Sequence, residues 1–148
     1  LPYGVYFFSQ ATSEQEALEE AEYVLNLING AGVTYPVAYD QEPVTDSSGR
    51  ANNLSADQLT KNAQTFCKRI EQAGYTPMVY GNQYDLSRLN IDQIDAAVWY
   101  AEYTDTHPTS NYHDFVMWQY THTGKVNGIK TDVDMDILFD ASWISPER

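Results

Sequence analysis

The spacing of apolar residues predicts that the chain opens with a strand and a helix. Residues 3–9 are rich in aromatic and β-branched side chains and predict the strand. Ser13 and Glu16 then form a capping-box pattern at a helix start. The residues that recur at helical spacing on the apolar face of this helix are Ala17, Ala21, Val24 and Ile28. After a glycine-containing stop, residues 33–39 predict a second, buried strand.

The same order recurs in the next segment. Ser55 and Gln58 cap a second predicted helix, and residues 75–80 predict the strand that follows it. The apolar face of that helix carries Leu59, Ala63, Phe66 and Ile70. Each helix ends in an Ala-Gly pair, and each following strand contains a proline. Repeated strand-helix units with buried apolar strands favour a parallel sheet, either a (β/α) barrel or a doubly wound layer.

The last third of the chain is predicted to be rich in strands. Residues 96–101, 115–121 and 133–135 predict strands with little helix between them, and Thr123-Gly124 predicts a turn. The chain therefore changes from β/α units to a β-rich end without changing domain. We expect residues 1–148 to form a single α/β domain.

The net charge narrows the classes of partner. The chain has 21 Asp and Glu against 8 Lys and Arg, a formal net charge of −13, and its basic residues are scattered. Phosphate backbones repel such a chain, so nucleic acid is not an expected partner. No apolar run approaches the length of a membrane span, so membrane insertion is not expected either. The lone Cys67 lies on the apolar side of the second predicted helix and is expected to be buried.

Two carboxyl groups follow the strand predicted at residues 33–39. Asp40 and Glu42 are two positions apart, and such residues on a strand point to one face with Cα atoms about 6.5 to 7 Å apart. Their carboxyl groups can come within about 5 to 5.5 Å, the separation typical of retaining glycoside hydrolysis. One charge also raises the pKa of the other group, which leaves a protonated acid beside an ionised partner. This pair is a candidate catalytic site, although a solvated loop start or a weak cation site fits the same two residues.

A second set of carboxyl groups, Asp132, Asp134 and Asp136, alternates near the end of the chain. The alternation is similar to the start of an EF-hand loop. However, Ile137 stands where that loop needs glycine, and Trp143 stands where it needs glutamate. A strand that carries acids on one face, directed into the site of the carboxylate pair, fits better.

Neither a metal site nor a cofactor site is predicted. His107, His113 and His122 fall in predicted loops or strand ends without the spacing of metal ligands. No Ser or Cys has the surroundings of an activated nucleophile, and no glycine-rich phosphate loop follows a strand. Trp99 and Trp118 lie on late strands, where a single aromatic residue is more often part of the core than a sugar platform.

Taken together, the motifs resemble glycoside hydrolase family 25, the Chalaropsis-type lysozymes. The matching stretches are Gly4-Val-Tyr-Phe-Phe8, Tyr35-Pro-Val-Ala-Tyr-Asp-Gln-Glu42, Pro77-Met-Val-Tyr80, Trp99-Tyr-Ala-Glu-Tyr103, Trp118-Gln-Tyr120, Gly124-Lys-Val-Asn-Gly-Ile129 and Val133-Asp-Met-Asp136. Each motif is weak alone, and their common order and spacing make the set specific. The resemblance covers almost the whole chain and implies the (β/α) barrel of this family.

The resemblance implies an enzyme of the cell wall or the extracellular space. Such enzymes cleave the β-1,4 bond between N-acetylmuramic acid and N-acetylglucosamine in peptidoglycan with retention, and need no metal or organic cofactor. By position, Glu42 would be the general acid/base. Asp40 would be the nucleophile or the residue that stabilises an oxazoline-like intermediate, and Asp134 would be a third carboxylate. The side chains that would line the sugar cleft are Tyr6, Tyr80, Tyr103 and Gln119. An autolysin, an exported weapon and a phage endolysin all fit this pattern.

The chain departs from the family pattern in three places. Asp136 stands where the family usually has Asn, and Phe7 stands where it often has His. The family's domain also begins with two further β/α units, the first of which carries another site Asp. We therefore expect an incomplete barrel of roughly strands 3 to 8, with unpaired edges open to self-association and poor activity of the chain alone. Two other functions stay open, a chitinase-like glycosidase and a non-catalytic glycan-binding remnant.

Overall fold

The computed structural model describes residues 1–46, 48–108 and 114–143, and its centre is a six-stranded sheet. The strands lie in chain order, β1-β2-β3-β4-β5-β6. Their bounds are Val5–Phe8, Val37–Asp40, Pro77–Asn82, Ala97–Ala101, Met117–Gly124 and Val133–Leu138. Neighbouring strands from β1 to β5 are parallel, and β6 is antiparallel to β5. The sheet is thus of the mixed α/β kind that the repeated strand-helix units predict.

Two long helices follow the first two strands. Helix α1 spans Glu14–Ile28 and α2 spans Ala56–Gln72. Both predicted starts are confirmed, because the hydroxyl groups of Ser13 and Ser55 accept the backbone N–H three residues on. The first cap differs in detail from the predicted box. The Glu16 carboxylate accepts the Thr12 N–H at 2.7 Å, so it reaches one residue further back than the cap residue.

Short helical segments lie between β3 and β4 and near the end of the described chain. Helix α3 spans Gln83–Ser87, and single 3₁₀ turns span Ile91–Gln93 and Ala141–Trp143. None of the three has the apolar periodicity of the long helices, which is why the sequence analysis does not predict them. In the described part of the chain, no helix is both long and apolar enough to cross a membrane.

Alternate side chains of each strand point to opposite faces of the sheet, and α1 and α2 pack on one of them. The buried strand residues on the helix-covered face are Val37, Tyr39, Val79, Val98, Tyr100 and Trp118. The predicted apolar residues of both helices are all buried, and all except Ala17 lie in the same cluster, together with the buried Cys67. A smaller apolar cluster on the opposite face consists of Ala38, Met78 and Ala97. The large core therefore lies on one side of the sheet and leaves the other side for the polar residues described below.

The strand predicted at residues 33–39 begins later than expected. The backbone N–H groups of Thr34 and Tyr35 donate to the Tyr3 carbonyl, and Pro36 has no N–H to donate. The regular ladder between β1 and β2 consequently starts at Val37.

The turn predicted at Thr123-Gly124 is wrong, because both residues lie inside β5. Gly124 allows β5 and β6 to approach each other closely at this point, since a Cβ on residue 124 would overlap the Met135 side chain of β6. The chain reverses further on, where Ile129 N–H donates to the Val126 carbonyl at 3.0 Å. Gly128 has a φ of 95° in this turn, a backbone conformation that favours glycine.

The core makes a prediction about Phe66. Its ring is fully buried and lies 5.2 Å from the ring of Tyr39 and 6.3 Å from that of Phe7, centroid to centroid. We expect Phe66→Ala to lower the free energy of unfolding by about 3 to 5 kcal/mol, because it leaves a cavity between α2 and the sheet. Urea unfolding followed by circular dichroism measures this. The control is Leu27→Ala on the exposed side of α1, which should cost less than about 0.5 kcal/mol. Equal losses in the two variants would contradict the assignment of the core.

Candidate active site

Five strands contribute one side chain each to the face of the sheet that α1 and α2 leave free. These side chains are those of Tyr6, Asp40, Tyr80, Trp99 and Gln119. Along its strand, each lies an even number of positions from a residue of the small apolar cluster, or from the residue that pairs with one on the neighbouring strand, and therefore points to the same face. Asp40 is the last residue of β2. Its carboxyl group therefore lies at the carboxyl end of a parallel strand, the end at which α/β proteins bind their ligands.

These side chains surround a cavity of about 250 Å³. Its lining residues are Tyr6, Asp40, Glu42, Tyr80, Trp99, Tyr103, Gln119 and Asp134. The seven residues that the family resemblance assigns to the site thus all line one cavity, and their roles stay predictions. The cavity lining includes one further residue, Trp99, for which the sequence patterns favour the core. Trp99 lies on the same side of β4 as Ala97 and Ala101, so its side chain faces the cleft.

The carboxylate pair lies at the base of the cavity. Asp40 is 6% exposed, and its Oδ1 has no hydrogen-bond partner among the described residues. Burial raises the pKa of Asp40 to about 8, and the negative charge of Glu42, its hydrogen bond to Asp40 and the charge of Asp85 act in the same direction. Glu42 lies beyond the end of β2, half-buried, so the two residues do not share a regular strand as predicted. The pair retains one proton at neutral pH.

A further buried carboxyl group, which the sequence analysis missed, lies near the pair. Asp85 is 3% exposed, and its Oδ2 accepts the Asn82 N–H at 3.2 Å in the capping box that starts α3. Burial raises its pKa to about 6, the hydrogen bond from Asn82 opposes this, and the charge of Glu42 adds to it. The pattern Asn-x-x-Asp from position 82 was the available signal, since it is a capping pattern with an acid at the third helical position.

Hydrogen bonds join the aromatic walls of the cavity. The hydroxyl groups of Tyr80 and Tyr103 both donate to Gln119 Oε1, at 2.7 and 2.8 Å. The rings of Tyr80 and Trp99 meet edge to face, 4.7 Å apart. Burial raises the pKa of Tyr80, so its hydroxyl stays protonated and remains a donor. Because the Gln119 oxygen takes both hydroxyls, its amide nitrogen is left to donate to a ligand.

The three alternating acids have different surroundings. Asp134 lines the cavity, as predicted. Asp136 Oδ1 accepts the indole N–H of Trp99 at 2.7 Å, and burial raises the pKa of Asp136 to about 6 against the effect of that hydrogen bond. Asp132 pairs with Lys125 instead of pointing into the cavity. The prediction of an acid-bearing strand directed into the site therefore holds for Asp134 but not for Asp132.

The two described histidines, His107 and His122, take no part in a cluster of ligands. Within residues 1–46, 48–108 and 114–143, no group of three His, Cys, Asp or Glu side chains could hold a metal ion. The His122 ring contacts that of Tyr103, with centroids 4.4 Å apart. His113 lies outside the described residues.

Comparison with known proteins decides the family. The model of glycosyl hydrolases family 25 matches residues 1–129. The chain belongs to glycosyl hydrolase family 25. The autolytic lysozyme of Clostridium acetobutylicum is 28% identical over 137 residues, which are 92% of this family 25 chain and 39% of that protein. The chain thus spans well under half the length of this relative.

Solved structures agree with the family. The modular autolysin LytC of Streptococcus pneumoniae superposes with a TM-score of 0.77 at 29% identity, over 91% of this chain and 33% of LytC. The lysozyme of Streptomyces coelicolor shares the fold with a TM-score of 0.74 at 23% identity, over 95% of this chain and 69% of that one. The six strands form a curled half-barrel consistent with this fold.

The buried pair predicts an unusual dependence of stability on pH. The unfolded chain releases the Asp40 proton near pH 4, roughly, whereas the folded chain retains it up to about pH 8. Between these values the folded state binds more protons, so this group's contribution to stability falls as pH rises. We expect the Tm of Asp40→Asn minus that of wild type to increase across this window and then level off. Differential scanning calorimetry measures it, with the exposed Asp105→Asn as control. A difference that does not change with pH would be inconsistent with a raised Asp40 pKa.

Proposed function

We propose that this chain is the catalytic part of a peptidoglycan hydrolase that cleaves the β-1,4 bond between N-acetylmuramic acid and N-acetylglucosamine with retention. The observation that carries the proposal is a buried carboxylate pair, Asp40 and Glu42, at the base of an aromatic cavity in a family 25 chain. The relatives support the substrate class, since one is an autolytic lysozyme and LytC has been crystallised with a synthetic peptidoglycan ligand.

Glu42 is proposed as the general acid/base. A second cavity of about 570 Å³ shares Glu42, Tyr80 and Tyr103 with the first, so Glu42 borders both spaces. A glycan chain that crosses from one cavity to the other would carry its scissile oxygen past this carboxyl group. Glu42 would donate a proton to that oxygen as the bond breaks, and then accept a proton from the water that attacks the anomeric carbon.

Asp40 is proposed to orient the substrate's N-acetyl group. Its Oδ1 is buried and has no hydrogen-bond partner among the described residues, and an acetamide N–H would supply the missing donor. Bonding to that N–H favours the ionised form of Asp40, so the retained proton would transfer to Glu42, where the acid step requires it. The acetyl oxygen would then attack the anomeric carbon, which gives retention by two inversions. Direct attack by Asp40 is the alternative route to the same stereochemistry.

The remaining cavity residues are proposed to bind the sugar and its transition state. Positive charge develops on the sugar ring as the glycosidic bond breaks, and the carboxylate of Asp134 would stabilise it from β6. Tyr6, Tyr80 and Tyr103 offer ring faces and hydroxyl groups to a neutral sugar, and the Gln119 amide nitrogen offers a donor. No step of this mechanism uses a cofactor.

The six-stranded sheet also has a proposed place in the family's barrel, and the enzyme a proposed site of action. The six strands would correspond to roughly strands 3 to 8 of the family's (β/α) barrel, with residues 1–148 belonging to one catalytic domain. In the described residues, β1 and β6 each pair on one side only. Further strands of the whole protein would cover these edges, and uncovered edges would favour self-association. The enzyme would act on the cell wall, as an autolysin, an exported weapon or a phage endolysin.

The test is mass spectrometry of the muropeptides released from purified peptidoglycan by the whole protein and by this chain. We expect products with reducing-end N-acetylmuramic acid from the whole wild-type protein and few from this chain alone. In the whole protein, Glu42→Gln should lower their rate of release by at least about 100-fold, because the acid is lost. Glu71→Gln, on an exposed site of α2, is the matched control and should leave the rate unchanged.

Three outcomes would contradict the proposal. Unimpaired cleavage by Glu42→Gln would remove this residue from the mechanism. Digestion of chitin oligomers without digestion of peptidoglycan would indicate a chitinase-like enzyme. Glycan binding by the whole protein, unchanged in Glu42→Gln and without cleavage by either, would indicate a binding module.

A further inference from the structure

The backbone around Glu42 receives little support from the sheet. Strand β2 ends at Asp40, and the residue after Glu42 is Pro43, which has no N–H to donate. From the described residues, the Glu42 carbonyl accepts two long contacts, both 3.4 Å, from the side-chain amides of Gln10 and Gln41. The position of Glu42 must therefore depend on what holds the residues before and after it.

Arg88 holds Gln41, the residue before Glu42. One guanidinium nitrogen, Nη1, donates to Gln41 Oε1 at 3.0 Å. Gln41 is 2% exposed, so its amide oxygen has no access to water as an alternative donor. The other nitrogen, Nη2, donates to the carbonyl oxygens of Ala51 and Asn52, each at 3.3 Å. Arg88 thus joins the end of β2 to the far end of the loop that follows it.

Asn52 holds the residue two positions after Glu42. Its Nδ2 donates to the Val44 carbonyl at 2.7 Å, and its Oδ1 accepts the Val44 N–H at 2.8 Å. The two bonds fix both backbone groups of Val44. Gly49 lies so close that a Cβ there would overlap the Asn52 side chain, which shows how tightly the loop closes around it.

Arg88 is itself well anchored. It is the C-cap residue of α3, where its N–H donates to the Asp85 carbonyl at 3.1 Å. The capping box of Asn82 and Asp85 attaches α3 to the end of β3. The guanidinium group therefore fixes the segment that carries Glu42 relative to the neighbouring strand, β3.

We propose that Arg88, acting together with Asn52, is a positioning residue that holds Glu42 against Asp40. The clamp, defined as Arg88 with its contacts to Gln41, Ala51 and Asn52, touches no sugar. It acts through the residues on either side of the acid. The inference rests on the proposed function for its effect on turnover, but its effect on the carboxylate pair is independent of any substrate.

The kinetic test compares Arg88→Met, Arg88→Lys and the control Arg69→Met in the whole protein. Met keeps the apolar stem of Arg88 and removes its donors, and we expect kcat on peptidoglycan to fall about 100-fold with KM little changed. Lys keeps the positive charge but has a single nitrogen, which cannot reach Gln41 and the loop carbonyls together as the two guanidinium nitrogens do. Arg88→Lys should therefore retain part of the wild-type kcat. Arg69→Met likewise removes a guanidinium group, whose Nε lies 2.6 Å from Glu22 Oε1 between α1 and α2, but the kcat of this variant should equal that of wild type.

The second measurement needs no turnover. Carboxyl ¹³C NMR follows the titration of Asp40 in the same four proteins. In Arg88→Met the pKa of Asp40 should fall, because Glu42 is no longer held against it, and in Arg69→Met it should keep its wild-type value.

The outcomes separate the clamp from the proposed function. A wild type that cleaves no peptidoglycan would overturn the proposed function, and the NMR titration would still judge the clamp. An unchanged titration and an unchanged kcat in Arg88→Met would overturn the clamp. Equal effects of Arg88→Met and Arg69→Met on kcat, titration and Tm would also overturn it, since they would show only a general loss of stability.

Discussion

The arrangement of the cleft depends on the two-residue alternation of side chains along the strands. In β2, Val37 and Tyr39 face the helices, whereas Ala38 and Asp40 face the cleft. A shift of one residue in the register would turn Asp40 towards the ring of Phe66 and expose Tyr39. Such a shift costs a buried aromatic contact and buries a carboxyl group without a partner. The packing of α1 and α2 on one face therefore also determines which side chains meet on the other.

The half-buried Glu20 and the buried Asp40 differ in how far the fold satisfies their carboxylate oxygens. The Glu20 carboxylate accepts the Ser9 hydroxyl at 2.6 Å and the Gln10 N–H at 3.1 Å, so both of its oxygens are satisfied. Asp40 is more buried than Glu20, and its Oδ1 has no hydrogen-bond partner among the described residues. A structural carboxylate that is buried normally receives donors from the fold. An unsatisfied one lowers stability and persists where a ligand supplies the donor.

The sequence predicts local features of this fold better than those formed by distant residues. The caps at Ser13 and Ser55 and the apolar helix faces depend on residues within a few positions of one another, and the structure confirms them. The start of β2 depends on the Tyr3 carbonyl, and the role of Gly124 depends on Met135. These partners are distant in sequence, so periodicity carries no information about them.

The same distinction applies to the cavity. Strand parity and family motifs are sufficient to predict its lining except for Trp99, because each residue has only to lie on the correct face of the sheet or in a loop that follows a strand. The clamp could not be predicted in this way. Arg88 and Gln41 are 47 positions apart, and neither belongs to a motif that requires the other. The residues that form a site can thus be found from local patterns, whereas the residues that hold them in place require the structure.

Asp136 shows how a departure from the family pattern changes one property of the cleft and leaves another intact. Its oxygen accepts the Trp99 indole N–H, and the amide oxygen of Asn would accept the same bond. The orientation of Trp99, and through it the edge contact with Tyr80, therefore does not require a charge. The carboxylate adds a negative charge near Asp134, the residue that β6 contributes to the cavity. Because burial raises the pKa of Asp136 to about 6, this charge is present at neutral pH and is lost in mild acid, while the protonated group can still accept the indole N–H. An Asn at this position would hold the ring equally at every pH, so the carboxylate makes the charge of the cleft depend on pH without changing its shape.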